Sequence, residues 1–313
     1  MAATLVRRFI GLIVTLVAAS LVVFAVLEIL PGDPAAIMLG TGARADTIAA
    51  LRAEFGFDRP LAERYLTWIA GLAHGDLGLS YTYDVPVAKL IGDRIGVSLP
   101  LALLALALAV LIGIPIGVLA AAKHGSLTDS AVMLTGQLGV AIPNFWFALI
   151  LILIFAVNLG WLPAGGFSGW SAGVGEGLRS LTLPAIALAL PQAAILARVT
   201  RSAVLETLSE DFVRTARAKG ASRSYALWRH AVPNALVPVV TIMGLQFSFL
   251  LAGTIIVENV FYLPGIGRLV FQAISQRDLI VVKNLVLLLS ATVVIVNFLV
   301  DLMQVALDPK LRS

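Results

Sequence analysis

The chain has 313 residues, of which 59% are hydrophobic and only 13% charged, with a mean hydropathy of +0.98 and a formal net charge of +4. Soluble chains carry about 25% charged residues and need them to cover their surface, so this composition excludes a soluble protein and defines an integral membrane one. Cysteine is absent and histidine occurs only at His74, His124 and His230, which removes disulfides, thiolate catalysis and cysteine-based metal sites. The basic balance is what a membrane protein gathers on its cytoplasmic side and gives no reason to expect nucleic acid.

A helix crosses a bilayer with about 20 apolar residues, and six stretches reach that length: 9–30, 98–120, 131–160, 182–202, 235–260 and 282–306. Arg7 and Arg8 precede the first as they would a signal peptide. Its apolar run is longer than the roughly 7–15 residues of such a peptide, however, and no small-residue cleavage site closes it, so it reads as a retained helix. Residues 31–97 follow as a small extracytoplasmic subdomain. In it DTIAALRAEFGF and PLAERYLTWIAGLA have amphipathic helical spacing, and LPGDP and GDLGLS mark turns. Pro143-Asn144 breaks the third stretch. The chain thus divides into a helix at 1–30, the subdomain at 31–97, five apolar stretches across 98–306 with a polar loop at 203–233 among them, and a tail at 307–313.

Lys and Arg set the orientation. Arg7, Arg8, Lys123, the seven basic residues from Arg198 to Arg229, Lys310 and Arg312 fall on one side; the two short loops opposite hold only Arg179, Arg268 and Arg277. Both termini are therefore expected in the cytoplasm. The 31–97 segment, with six basic and eight acidic residues, is long enough to translocate regardless of its charge.

Several chemistries lack their residues. No Lys follows a Gly anywhere in the chain, so a phosphate-binding loop ending in GK[ST] cannot occur, and ATP chemistry has to come from another polypeptide. There is no HExxH. A GxSxG match, Gly169-Trp170-Ser171-Ala172-Gly173, lies in a glycine-rich loop with no histidine placed as its base, and reads as a loop of small residues. Glu28, Glu258 and Asp301 are the ionisable residues near span ends, where capping or solvated roles compete with functional ones. An ion-coupled carrier, the alternative of another class, usually shows a charged or broken-helix site at mid-depth; the break at Pro143-Asn144 has no charge with it, so ion-driven transport is open but not favoured. Polar groups on lipid-like helices face a cavity or neighbouring protein, which makes Asn144, Phe145, Gln246 and Glu258 candidates for a pathway wall.

The outlier is EDFVRTARAKGASRSYALWRHAVPNALVPVV at 210–240. Ser209 is expected to cap a helix with Glu210 and Asp211 in its first turn. Arg214, Thr215, Ala216, Arg217 and Ala218 continue it; Arg217 and Lys219 fall on its last turn, and Gly220 takes a left-handed exit. A second helix starts at Ser222 and runs to Pro233. Ala216, Ala218, Gly220 and Ala221 keep the turn slim enough for another backbone to approach. A helix adsorbed on anionic lipid would show Leu or Phe where this one shows Ala, so docking into a protein groove is favoured.

At these residues RTARAKGASRSYALWRHAVPNALVPVV resembles the EAA coupling loop of ABC importer permeases. The phrases LPGDP, GDLGLS, PNFWFALIL, ENVFYLPGIGRLV and VDLMQVALDPKLR, in order along nearly the whole chain, are similar to the dipeptide, oligopeptide, glutathione and nickel branch. Arg214, Thr215, His230 and Val232 depart from the general EAA pattern at positions that this branch varies. The resemblance implies an all-α polytopic membrane protein of six transmembrane helices, a type I ABC importer (MetI-like) permease core plus an extra N-terminal helix. It implies no catalytic residue and no metal or cofactor in this chain, with ATP and Mg bound by two partner ATPase subunits. A homologous second permease, an extracytoplasmic substrate-binding protein and membrane lipid complete the expected partners, in a bacterial inner membrane. Coupling falls to Asp211, Arg214, Thr215, Ala216, Arg217, Ala218, Lys219, Gly220, Ala221 and Pro233. Short peptides are the expected cargo; nickel is the alternative, although five Met and three His, scattered, are few for a bare-metal path.

Overall fold

The computed structural model describes residues 2–29, 34–39 and 43–307. The LPGDP turn and the 307–313 tail lie outside them but for Pro34 and Leu307. Helices dominate because a bilayer offers backbone groups no water, so each span satisfies them internally. In order they are α1 (Ala2–Ile29), α2 (Pro34–Leu39), α3 (Ala45–Phe55), α4 (Leu61–Ala73), α5 (Val87–Ala122), α6 (Leu127–Ala141), α7 (Asn144–Leu151), α8 (Val174–Ser209), α9 (Asp211–Ala218), α10 (Arg223–Ala226), α11 (Val232–Val260), α12 (Ile266–Ser275) and α13 (Leu279–Leu307). A π-helical stretch, Ile152–Asn158, continues α7.

Among the described residues, five helices are long and apolar enough to cross a membrane. A sixth span exists only if α6 and α7 with its π-helical extension count as one, and these are bent by 101° at Ile142-Pro143. The expected third span is therefore a broken one: Pro143 has no N–H to continue the ladder, and its predecessor is extended (φ −80°, ψ 124°). The long helices also overshoot their apolar stretches. α5 begins at Val87, ahead of the apolar stretch that starts at 98, because Lys89, Asp93 and Arg94 interrupt the hydropathy but not the helix.

The centre of the bundle is the contact between α5 and α8. Gly113 and Gly117, one helical turn apart in GIPIG, face Ala193 and Ala197; a Cβ would come 2.7 Å from the Ala193 carbonyl at Gly113 and 2.5 Å from that of Ala197 at Gly117. Small residues at this spacing let two backbones meet where lipid supplies no hydrophobic drive. Around that seam Leu101, Ala105, Leu188, Leu196, Val239 and Leu250 form one buried cluster with α11. A second cluster joins the start of α5 (Val87, Ile91) to α12 (Ile266, Leu269) and the start of α13 (Val281, Leu285).

The turn GDLGLS is stitched to the start of α13. Ser80 donates to Asp278 (2.5 Å), the Thr82 N–H donates to the same carboxylate (3.1 Å), and Asn284 receives the Trp68 indole N–H (3.1 Å) while donating to the Leu77 carbonyl (2.9 Å). α3 and α4 match the two amphipathic segments expected there. α1 lies along α13 at the edge of the bundle. Arg8 pairs with Asp301, Phe9 meets Phe298 edge-on at 6.5 Å, and Val14, Val22 and Val26 face outward. Since α13 starts beside the start of α5, the ends of α1 and α13 joined by Arg8–Asp301 share the face on which α5 finishes.

Replacing Gly117 by Leu should destabilise the chain by about 1–3 kcal/mol through overpacking, whereas Gly11→Leu, at a position with nothing within 4 Å, should be tolerated. Thermal unfolding of both detergent-purified variants checks this; equal stability would contradict backbone contact at the seam.

Candidate functional site

The corner between α8 and α11 is built from local backbone rules. Ser209 does not cap α9 as expected: it ends α8, and its hydroxyl donates back to the Glu206 carbonyl (2.7 Å). Glu210 takes the cap position with extended backbone (φ −68°, ψ 148°) and no side-chain cap bond. At the other end the expectation and the structure agree. Gly220 has φ +95°, its N–H donates to the Arg217 carbonyl (3.0 Å), and the Ala221 N–H donates to that of Ala216 (3.2 Å). This paired closure needs a left-handed residue, where a side chain would be strained. Ser222 then caps α10, accepting from the Tyr225 N–H (3.2 Å).

The second helix does not stop at Pro233. A π-helical turn at Leu227–Ala231 leads into α11, and Arg223–Val260 runs on as one helix. Pro233 stands in the first turn of α11; its missing N–H and bulky ring are absorbed by the widened turn before it.

The corner is tied inward on one side and free on the other. Val213, Ala226, Leu227 and Ala231 are buried, and Arg223 donates to the Ala122 carbonyl at the end of α5 (3.3 Å). Asp211, Arg214, Thr215, Arg217, Ala218, Lys219, Gly220 and Pro233 are exposed, with Ala216 and Ala221 half-buried. Asp211 and Arg214 pair at 3.6 Å in water. The free face is an open groove of about 670 Å³, with Phe212 and Tyr225 as aromatic walls and Ala216, Lys219 and Gly220 along it.

Close by, Asp129 on α6 takes a bidentate contact from Arg201 on α8 (2.5 and 2.7 Å) and a bond from the Gly125 N–H (3.0 Å), with His124 at 3.0 Å. This cluster fastens α8 to the α5–α6 loop before the corner begins. Sequence reading missed it, although Arg201 at the end of an apolar stretch was a signal that a carboxylate stood near.

The pathway candidates fall in two groups. Asn144 opens α7 after the break, half-buried near Gly253 of α11, and Phe145 is exposed. Gln246 and Glu258 are buried within the chain. The Glu258 carboxylate accepts from Ser98 (2.5 Å) and from the Arg268 N–H (3.1 Å), while Ser98 also accepts the Ile266 N–H (2.7 Å). Carboxylate and hydroxyl thus cap the first turn of α12, and Gly265 leaves room for them. The GxSxG match forms a short 3-10 turn between Gly169 (φ +84°) and Gly173 (φ +113°).

Among the described residues no group of three or more His, Asp or Glu is placed to hold a metal ion.

Among the described residues, five long apolar helices and one bent pair, with α5 and α8 meeting at a tight backbone seam, define a polytopic helical membrane protein. The chain belongs to the family of binding-protein-dependent transport system inner membrane components: residues 113–313 match that family, and residues 1–102 match the N-terminal region described for its membrane components. It is 41% identical over 312 residues to a protein of Brucella abortus (strain 2308) described as a peptide transport system permease, covering 100% of this chain and 99% of that one. It is 38% identical over 307 residues to the glutathione transport system permease protein GsiC of Escherichia coli (strain K12), covering 98% of each. The fold is shared with a chain of the MetNI methionine ABC transporter in an inward-facing conformation, with TM-score 0.57 at 19% identity, over 70% of this chain and 97% of that one.

Replacing Glu258 by Ala should cost about 1–3 kcal/mol, since it leaves the start of α12 without its buried acceptor. Thermal unfolding of the purified variant measures it, and wild-type stability would show that the cap carries no load.

Proposed function

We propose that this chain is one transmembrane subunit of an ATP-driven ABC importer, forming half of a pathway for short peptides or a glutathione-like solute. The names of its full-length relatives support that cargo class, and the exposed corner at 210–233 carries the mechanism. Partner ATPase subunits bind ATP and Mg and hydrolyse the nucleotide; a similar but distinct second permease completes the pathway, and a substrate-binding protein delivers the solute. The face bearing α9 and α10 is cytoplasmic, as are both termini, and residues 31–97 are extracytoplasmic.

In this reading an ATPase element seats in the groove between Phe212 and Tyr225, beside the cations Arg214, Arg217 and Lys219. Closure of the ATPases shifts the corner. Because α10 is continuous with α11, and α8 enters the corner directly, the displacement reaches two spans as rigid rods. ATP binding has to favour one packing of those rods over the other for transport to follow. In the same proposal Asn144 and Phe145, at the break before α7, meet the solute, and Gln246 and Glu258 support the wall from within.

Gly220→Val puts a β-branched residue in a left-handed position at a penalty of roughly 1–2 kcal/mol. It should give a permease inserted at normal level in which loaded binding protein no longer stimulates ATP hydrolysis; Gly220→Asn, which tolerates that conformation, should retain stimulation. Reconstituted vesicles containing the whole complex provide the measurement, and normal stimulation in Gly220→Val would overturn the coupling role. The orientation is checked separately. The chain has no cysteine, so Asp58→Cys should react with an impermeant maleimide in cells whose outer membrane is permeabilised, and Arg214→Cys only after the inner membrane is opened. The reverse pattern would invert the topology.

A further inference from the structure

A second cavity, of about 340 Å³, lies between the subdomain and the two peripheral helices, far along the chain from the corner. Its walls are aromatic: Phe24 of α1, Phe57, Trp68 of α4, and Tyr81. Phe24 and Trp68 stack with centroids 6.1 Å apart. Burial, then the Asp278 carboxylate, push the Tyr81 phenol up.

The charges lining the cavity are Arg59, Arg64, Lys283 and Asp76. Three of them are already answered: Arg64 pairs with Glu28 at 2.8 Å, Arg59 with Glu63 at 3.4 Å, and Asp76 accepts the Gly78 N–H at 2.9 Å. Lys283 differs. Among the described residues no carboxylate stands within ion-pair distance of its ammonium, which rests 4.6 Å from the Trp68 ring centroid and 5.6 Å from that of Phe24. A cation on an apolar helix normally reaches for water or an anion. This one is held inside the cavity, half-buried, by two ring faces.

Depth identifies the anion. Phe24 lies five residues before the end of α1, and Lys283 four residues after the start of α13, about 6–8 Å inside each helix end at 1.5 Å per residue. The cavity therefore straddles the boundary between hydrocarbon and headgroups, where phospholipid phosphates lie and aromatic side chains collect. Beside it the outward face of α1 shows Val22 and Val26, suited to acyl chains. We infer that this cavity holds the phosphate of a phospholipid from the adjoining leaflet, with Lys283 as its cation and Phe24 and Trp68 as its walls, joining the subdomain to α1 and α13.

Native mass spectrometry of the full chain in detergent, titrated with phosphatidylglycerol, tests this. Lys283→Met should weaken binding about tenfold, the effect of losing one charge-assisted contact, while Lys283→Arg and the surface control Lys89→Met should bind as the unaltered chain does. Diacylglycerol, with chains and no phosphate, and glycerol phosphate, with phosphate and no chains, should each bind at least about tenfold more weakly. Thermal unfolding separates a lipid site from a structural lysine: without lipid Lys283→Met should melt at or above the temperature of the unaltered chain, and only the lipid-induced rise should vanish. Unchanged affinity in Lys283→Met, equal binding of diacylglycerol, equal binding of free glycerol phosphate, or a lower lipid-free melting temperature would each overturn the assignment.

Discussion

The left-handed backbone at Gly220 is the constraint on which the working face depends. It closes α9 with two carbonyl contacts and reverses the chain within Gly220–Ser222, so that α10 can begin at once under its own serine cap. A longer or looser connection would let the corner flex and dissipate any push it received. Here α8 arrives on one side already fastened to the α5–α6 loop through Asp129 and Arg201. On the other side α10 becomes α11 without a break. A small loop is thus wired to two membrane-crossing helices, and the stiffness comes from backbone geometry rather than from a large interface.

The opposite face solves a different problem. Polar residues at the ends of apolar helices are costly unless bonded, and this chain uses them as long-range clamps. Glu258 and Ser98 hold the start of α12, Asp278 gathers the turn around Ser80, and Asn284 ties Trp68 to α13. Each clamp joins segments far apart in sequence, so the subdomain, α5, α12 and α13 form one unit. The mobile function proposed for the corner therefore has a fixed counterpart at the far end of α11, where Glu258 joins that unit.

The sequence was most legible where local rules suffice. The left-handed Gly220, the amphipathic segments that became α3 and α4, and the interruption at Pro143 all follow from residue types and spacing. It misled where a local rule has two outcomes. Pro233 marks a stop in most helices, yet the widened turn at Leu227–Ala231 lets the helix pass through it. Ser209 offers a cap, yet bonds its own preceding turn. Hydropathy marks the apolar stretch and not the whole helix: α5 starts at Val87, since charged first turns still form helix beyond the lipid. For Glu258 a capping role was among those expected at a span end, but its partner was out of reach: Ser98 is 160 residues away, and nothing in either neighbourhood specifies the other.

The central claim is that the groove between Phe212 and Tyr225 receives an ATP-hydrolysing partner. Site-specific photo-cross-linking from position 215 in the assembled, membrane-embedded complex addresses it directly, with position 111, exposed on the apolar face of α5, as the control. The account predicts that a probe at 215 is trapped on the ATPase subunit, with a yield that changes when ATP is added, while a probe at 111 is trapped on lipid. Adducts from 215 with lipid alone would contradict it.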